Sequence, residues 1–266
     1  MEVSMTAILY RLFYIPVLIF TLYTLLGCAT APITGRSQLL LFPENQEITL
    51  GIQAYQEVLA KQKISHEPKV NSLVKSVGKN IAKAADRPDY DWEFTVIDDN
   101  KTANAFALPG GKVAVYTGLL PYTNDENGLA FVLAHEVGHA LARHGGERMS
   151  QMLIIQLGQI GINVAVRDQS PVAIQALNIG YGLASTVGVV LPFSRTQEYE
   201  ADTIGLIIMA KAGYDPREAP AFFERLMQNS AEKKKPPVFL STHPADEDRI
   251  ARLKSLIPEA MKYYKP

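Results

Sequence analysis

The 266-residue chain has a single cysteine, Cys28, so it cannot close an intramolecular disulfide. It has no charge surplus of either sign. Its 26 lysines and arginines stand against 27 aspartates and glutamates, a net −1, which offers no electrostatic footprint for nucleic acid. It has no internal repeat, which excludes a solenoid or propeller array. Histidine is scarce, five in all, so any clustering of it is informative. What is abundant is apolar side chain, 47% of the residues, enough to bury a sizeable core in one domain of ordinary size.

Two long stretches carry almost no charge. The first, Leu12 to Gly27, follows Arg11, the one positive charge of the N-terminal segment, and ends in Leu25-Leu26-Gly27-Cys28. This resembles the lipobox of a bacterial lipoprotein signal: residues 1–27 would be removed and Cys28 lipidated as the new N-terminus. The competing reading is an anchor helix with an incidental Cys, for which the apolar run is short. Ala29 after the Cys is the choice that resembles outer-membrane sorting. Residues 28–43, with Pro, Gly, Thr and Ser, read as a tether. The second stretch, Val172–Leu191, lies between Pro171 and Pro192. Its length admits a membrane span, whereas Gln175, Asn178 and its glycines favour a helical insert (146–193) packed against protein or covering a cleft.

Between them lies His135-Glu136-Val137-Gly138-His139. Two histidines at i and i+4 of a helix share a face one turn apart and can offer two imidazole nitrogens to one metal ion. Glu136 is then placed to act as general base on a water held there. The helix is expected over Leu129–His144, with a capping box from Thr123 to Glu126 and a stop at Gly145-Gly146. His144, five residues past His139, falls on a different face and reads as a helix-end residue rather than a ligand.

Upstream, helices are expected at Glu44–Lys61 and Pro68–Ala85, and a strand at Trp92–Ile97. A hairpin follows, a short strand Asn104–Ala107 joined through Pro109-Gly110-Gly111 to Lys112–Tyr116. Its short strand should lie at a sheet edge, where unpaired backbone either completes the fold or holds an extended peptide, through Asn104, Ala105 and Phe106, by strand addition. Downstream, Asp215-Pro216 starts a helix, Lys233 to Pro237 is a basic loop, either a solvated linker or a contact for anionic lipid, and His243-Pro244 should open the last helix.

A catalytic zinc usually has three protein ligands. In the stretch Ser194–Asp202, Glu198 and Asp202 are i and i+4 on one helix face while Glu200 points elsewhere, so Glu198 is the third ligand and Asp202 the residue that accepts the free N–H of a ligand histidine.

HEVGH, then Ser194-Arg195 with Glu198, Ala201 and Asp202, then Thr242-His243-Pro244 with Arg249, together resemble the M48 family of zinc metallopeptidases, Ste24- and OMA1-like, and most nearly its small periplasmic lipoproteins of the BepA and LoiP kind. The likeness runs from about residue 40 to 257. It implies an α+β, mainly helical zincin (gluzincin) fold with a small β-sheet beside the HExxH helix. It also implies one Zn²⁺ on His135, His139 and Glu198, and a peptidase domain over 44–266. His243 and Arg249 become candidate oxyanion stabilisers, with His243 alternatively a helix cap or a ligand that keeps the site latent. The expected partners are unfolded or misassembled envelope proteins as substrates, and the membrane through the N-terminal lipid. A chaperone-like lipoprotein with a latent zinc site is the alternative.

Overall fold

The computed structural model describes residues 28–167, 169–185, 191–233 and 237–265. The expected signal peptide (1–27), residues 186–190 of the second apolar stretch and Lys234-Lys235-Pro236 of the basic loop lie outside the described residues.

A three-stranded sheet and a set of helices surround one buried helix, an α+β arrangement that is mainly helical. The sheet has the order β3 (Glu93–Ile97), β5 (Lys112–Tyr116), β4 (Ala105–Leu108). β3 runs parallel to β5, with Phe94 beside Val113. β4 pairs antiparallel with β5, Ala105 beside Val115 and Ala107 beside Val113. β4 therefore lies at an edge of the sheet, as its short length suggested. α1 (Glu44–Lys61) and α2 (Pro68–Ala85) have the expected bounds; α2 buries Val74, Val77 and Ile81.

The central helix is α4 (Glu126–Leu141), buried at every residue from Gly128 to Leu141. It follows the short α3 (Leu120–Thr123), and its cap differs from the expected Thr123–Glu126 box. The Thr123 hydroxyl is spent on Leu120 O, 2.9 Å away within α3, which ends at Asn124. Asp125 caps instead, accepting from the N–H groups of Asn127 (2.8 Å) and Gly128 (3.1 Å). The far end also differs. Gly145 and Gly146 do not stop the helix; Arg143 does, at φ 54°, and α5 (His144–Ala165) starts at once. Arg143 is held there by Glu47 at 2.7 Å and by Phe42 O. Gly146 serves close approach, because a Cβ on it would lie 2.1 Å from Glu47 Oε1.

α5 and α6 (Pro171–Ser185) form a helical pair, joined by Tyr181 hydroxyl to Ile155 O and by Gln159 to Asn178. The expectation of a buried or cleft-covering insert is corrected in part: Met152, Leu157, Ile160, Val164, Val172, Leu177 and Ile179 face outward. Among the described residues no helix is long and apolar enough to cross a membrane.

α7 (Leu191–Lys211) crosses α4 at backbone contact. A Cβ on Gly138 would stand 2.9 Å from Ala201 O, and one on Gly205 3.0 Å from His135 N. Two glycines thus set the distance between the helix that carries the histidines and the helix that carries the acids. α8 (Glu218–Lys233) and α9 (Val238–Thr242) place Phe222, Phe223 and Phe239 around Phe131 of α4, with ring centroids 5.4–5.8 Å apart for the Phe131–Phe222, Phe131–Phe223, Phe222–Phe223 and Phe222–Phe239 pairs. The last helix, α10 (Glu247–Ala260), is capped by Asp246, not opened by His243-Pro244. His243 closes α9 by donating its N–H to Phe239 O at 2.7 Å.

The stretch expected as a tether forms a hairpin of β1 (Cys28–Thr30) and β2 (Ser37–Leu39), Cys28 beside Leu39. It is ordered because its side chains reach into the body of the protein.

Candidate metal centre

His135 and His139 project from one face of α4 with their Nε2 atoms 3.1 Å apart. Glu198 of α7 meets them, Oε2 3.3 Å from His135 Nε2 and Oε1 3.3 Å from His139 Nε2. His243 brings Nδ1 to 3.2 Å from His135 Nε2 and 3.1 Å from Glu198 Oε2. All four residues are buried. Donors about 2.0–2.1 Å from one ion stand about 3.3 Å from each other in a tetrahedron, so this spacing would suit a single ion such as Zn²⁺. Protons alone do not account for it, because three imidazole nitrogens and a carboxylate that all face one point cannot each donate and accept. Charge points the same way. Glu136, Glu147, Glu198, Glu200 and Asp202 are buried within this neighbourhood, faced by the guanidinium groups of Arg36 and Arg249. A divalent cation would offset that surplus. Burial opposes a charge on His135, and the carboxylates of Asp202 and Glu198 beside it favour one, with the imidazole raised to about 9.

Each histidine is held from behind. Asp202 Oδ1 lies 3.0 Å from His135 Nδ1, and Arg249 grips the same carboxylate through Nε (2.7 Å) and Nη2 (2.8 Å). Burial works against the charge on Asp202, and Arg249 holds the carboxyl below its usual range. The remaining Arg249 nitrogen donates to Pro244 O at 2.9 Å and lies 3.0 Å from Glu198 Oε2. The expectation that Arg249 stabilises an oxyanion is corrected by this geometry. Its guanidinium is engaged by Asp202, Glu198 and Pro244 O, its side chain is 2% exposed, and it is not among the residues that line the cleft, so it braces the acids.

Sequence reasoning missed the residues behind His139. His144, read as a helix-end residue, sets Nδ1 2.8 Å from His139 Nδ1 and Nε2 2.9 Å from Glu200 Oε2. A continuous helix would have turned it away; the break at Arg143 turns it back. Glu200 does point away from the donor set, yet it supports that set through His144. The available signal was the third histidine just past HExxH, followed by a glycine pair.

Glu136 lies on the cleft side. Its Oε2 accepts the N–H of Ala107 of β4 at 3.1 Å, and its Oε1 is 3.2 Å from His243 Nε2. Burial raises its carboxyl above the usual range. A cavity of about 330 Å³ opens here, and Asn104, Ala105 and Phe106 line it together with Glu136, His139 and His243. Ala107 turns its N–H into this cleft, so by alternation Ala105 turns its backbone the same way. Phe239 stacks on the His243 ring, 4.5 Å between centroids, and fixes its plane.

The model of peptidase family M48 matches residues 68–257. Among curated relatives, the mitochondrial metalloendopeptidase OMA1 of Schizosaccharomyces pombe is 36% identical over 236 residues, 86% of this chain and 66% of that protein. OMA1 of Saccharomyces cerevisiae is 32% identical, covering 88% of this chain and 70% of its own length. The beta-barrel assembly-enhancing protease of Escherichia coli (strain K12) is 30% identical, covering 84% of this chain but 46% of its own length. The chain thus spans about two thirds of the yeast proteins and less than half of the bacterial one.

Proposed function

The chain belongs to peptidase family M48, and from that premise we propose that it is a zinc-dependent endopeptidase that cleaves misfolded or stalled proteins of the bacterial envelope. One observation carries the reading: a buried cluster of four donor residues lies beside a buried carboxylate and a sheet edge, and His139, His243, Glu136 and β4 line one cleft.

His135, His139 and Glu198 would hold the ion, with His135 oriented by Asp202 and His139 by His144. When bound, the metal supplies Lewis-acid activation of a water and of the substrate carbonyl. Glu136 is the general base. It takes a proton from the attacking water and returns it to the leaving amine, a role suited by a carboxyl that burial has raised. β4 receives the substrate as an added strand through Asn104, Ala105 and Phe106. This selects extended, unfolded segments. Lipidation at Cys28 would tether the enzyme to the periplasmic face of the outer membrane, consistent with the beta-barrel assembly-enhancing protease among its relatives. The OMA1 relatives are mitochondrial, so the compartment rests on the lipobox.

A second reading is favoured by His243. Its Nδ1 occupies the fourth donor position, the place a water needs. The protein would then be a chaperone-like lipoprotein with a latent site. Cleavage of unfolded casein by the purified full chain, with and without a chelator, tests both. Chelator-sensitive cleavage supports the peptidase; binding of casein without cleavage, zinc present, overturns it. His243→Ala refines the result. Faster cleavage with zinc retained assigns latency to His243, and lost turnover with zinc retained assigns it to the oxyanion.

A further inference from the structure

Two relays of buried contacts stand behind the histidines of α4, and one of them runs to the far N-terminal end of the described chain. From His135 the relay passes through Asp202 to Arg249 of α10. From His139 it passes through His144 to Glu200 Oε2, and from there to Arg36 Nε at 2.7 Å. Arg36 lies in the turn before β2, 164 residues before Glu200. Its two terminal nitrogens fork onto Glu147, each at 2.7 Å, and Gln197 donates to the same carboxylate at 2.8 Å. Thr34 of the same turn donates its hydroxyl to Glu200 Oε1.

The proton order along this relay is dictated. If His139 Nε2 keeps a lone pair for the donor set, its proton sits on Nδ1 and donates to His144 Nδ1. His144 then carries its own proton on Nε2 and donates to Glu200. The relay is stable only if Glu200 stays a fixed acceptor. Glu147 and Glu200 are both buried, with side chains 1% and 3% exposed, and the Arg36 guanidinium bridges them. Without it, two desolvated carboxylates would repel across a site that needs one of them still.

We propose that Arg36 is a positioning residue of the metal centre: by fixing Glu200 and Glu147 it orients His144 and through it His139, so that the β1–β2 hairpin is a working part of the site. The inference rests on His139 being a metal ligand.

The test is zinc affinity of the full chain, measured by competition with a chromophoric chelator, together with the visible absorption of the Co²⁺-substituted protein. Arg36→Gln and His144→Asn should each weaken zinc binding about 10–100-fold and shift the Co²⁺ bands. The double variant should bind no more weakly than the poorer single one, because both cut the same relay. Arg36→Lys, which keeps a cation but loses the fork, should fall between wild type and Arg36→Gln, and it carries the test if Arg36→Gln does not fold. Arg36 variants that lose thermal stability but keep zinc affinity within about twofold and an unchanged Co²⁺ spectrum would overturn the inference, as would fully additive losses. His139→Ala is the separate control. If it binds zinc as tightly as wild type, the ligand reading itself fails, and this inference falls with it.

Discussion

Replacing Asp202 by alanine should damage two properties by different routes. The first is metal affinity. Asp202 Oδ1 is 3.0 Å from His135 Nδ1 and orients the imidazole whose Nε2 faces the donor set. Loss of such a partner costs about 10–100-fold in affinity, or about 1.4–2.7 kcal/mol. The second is stability. Asp202 is the bidentate partner of Arg249, whose side chain is 2% exposed. Stripping one partner from a buried pair costs about 3–5 kcal/mol. Pro244 O and Glu198 still hold one guanidinium nitrogen, which puts the expectation near the lower end, about 3 kcal/mol. For a chain of this size that corresponds to a melting temperature lower by about 6–12 °C. Thermal unfolding of the zinc-free protein isolates the second effect from the first, and chelator competition then reads the affinity. Asp202→Asn sharpens the comparison, since it keeps the shape and loses the charge. Asp202→Ala with wild-type zinc affinity would refute the argument that this carboxylate orients His135, whatever happens to the melting point.

Other substitutions separate the remaining parts. Glu136→Gln should keep zinc and lose about 10²–10⁴-fold in turnover, because only the base is gone; metal analysis beside casein cleavage checks it, and metal loss equal to that of His139→Ala would refute it. Gly205→Ala puts a methyl carbon 3.0 Å from the His135 backbone nitrogen and should cost about 1–3 kcal/mol, read by chemical denaturation, with weakened zinc binding as α7 is pushed off α4. Cys28→Ser should abolish lipidation and leave unprocessed precursor. Its mobility on gels and its membrane fractionation report the outcome, and unchanged values in both would sink the lipoprotein reading.

The parts of the site that lie on one helix were legible from periodicity alone. His135 and His139 share a face because they are one turn apart, and Glu198 and Asp202 share theirs for the same reason. The hairpin was legible because Pro-Gly-Gly between β-forming runs has few other solutions, and its short strand falls at the edge of the sheet. A contact between elements distant in sequence leaves no such periodic trace. Arg249 was a candidate oxyanion stabiliser by resemblance, but α10 packs so that its guanidinium points at Asp202 and Glu198. His144 was expected at the end of one helix; the left-handed turn at Arg143, held by Glu47 from 96 residues away, makes it the start of the next and aims its ring at His139. The N-terminal hairpin was expected as a tether because its composition is that of a loop, and composition does not record that Arg36 has two buried carboxylates waiting for it. The local chemistry of this protein, which atoms can bind a metal and which can take a proton, is written along the chain. Which side chains brace those atoms was decided by helix packing, through the close approach that Gly138 and Gly205 permit and through burial that brings charged groups against each other.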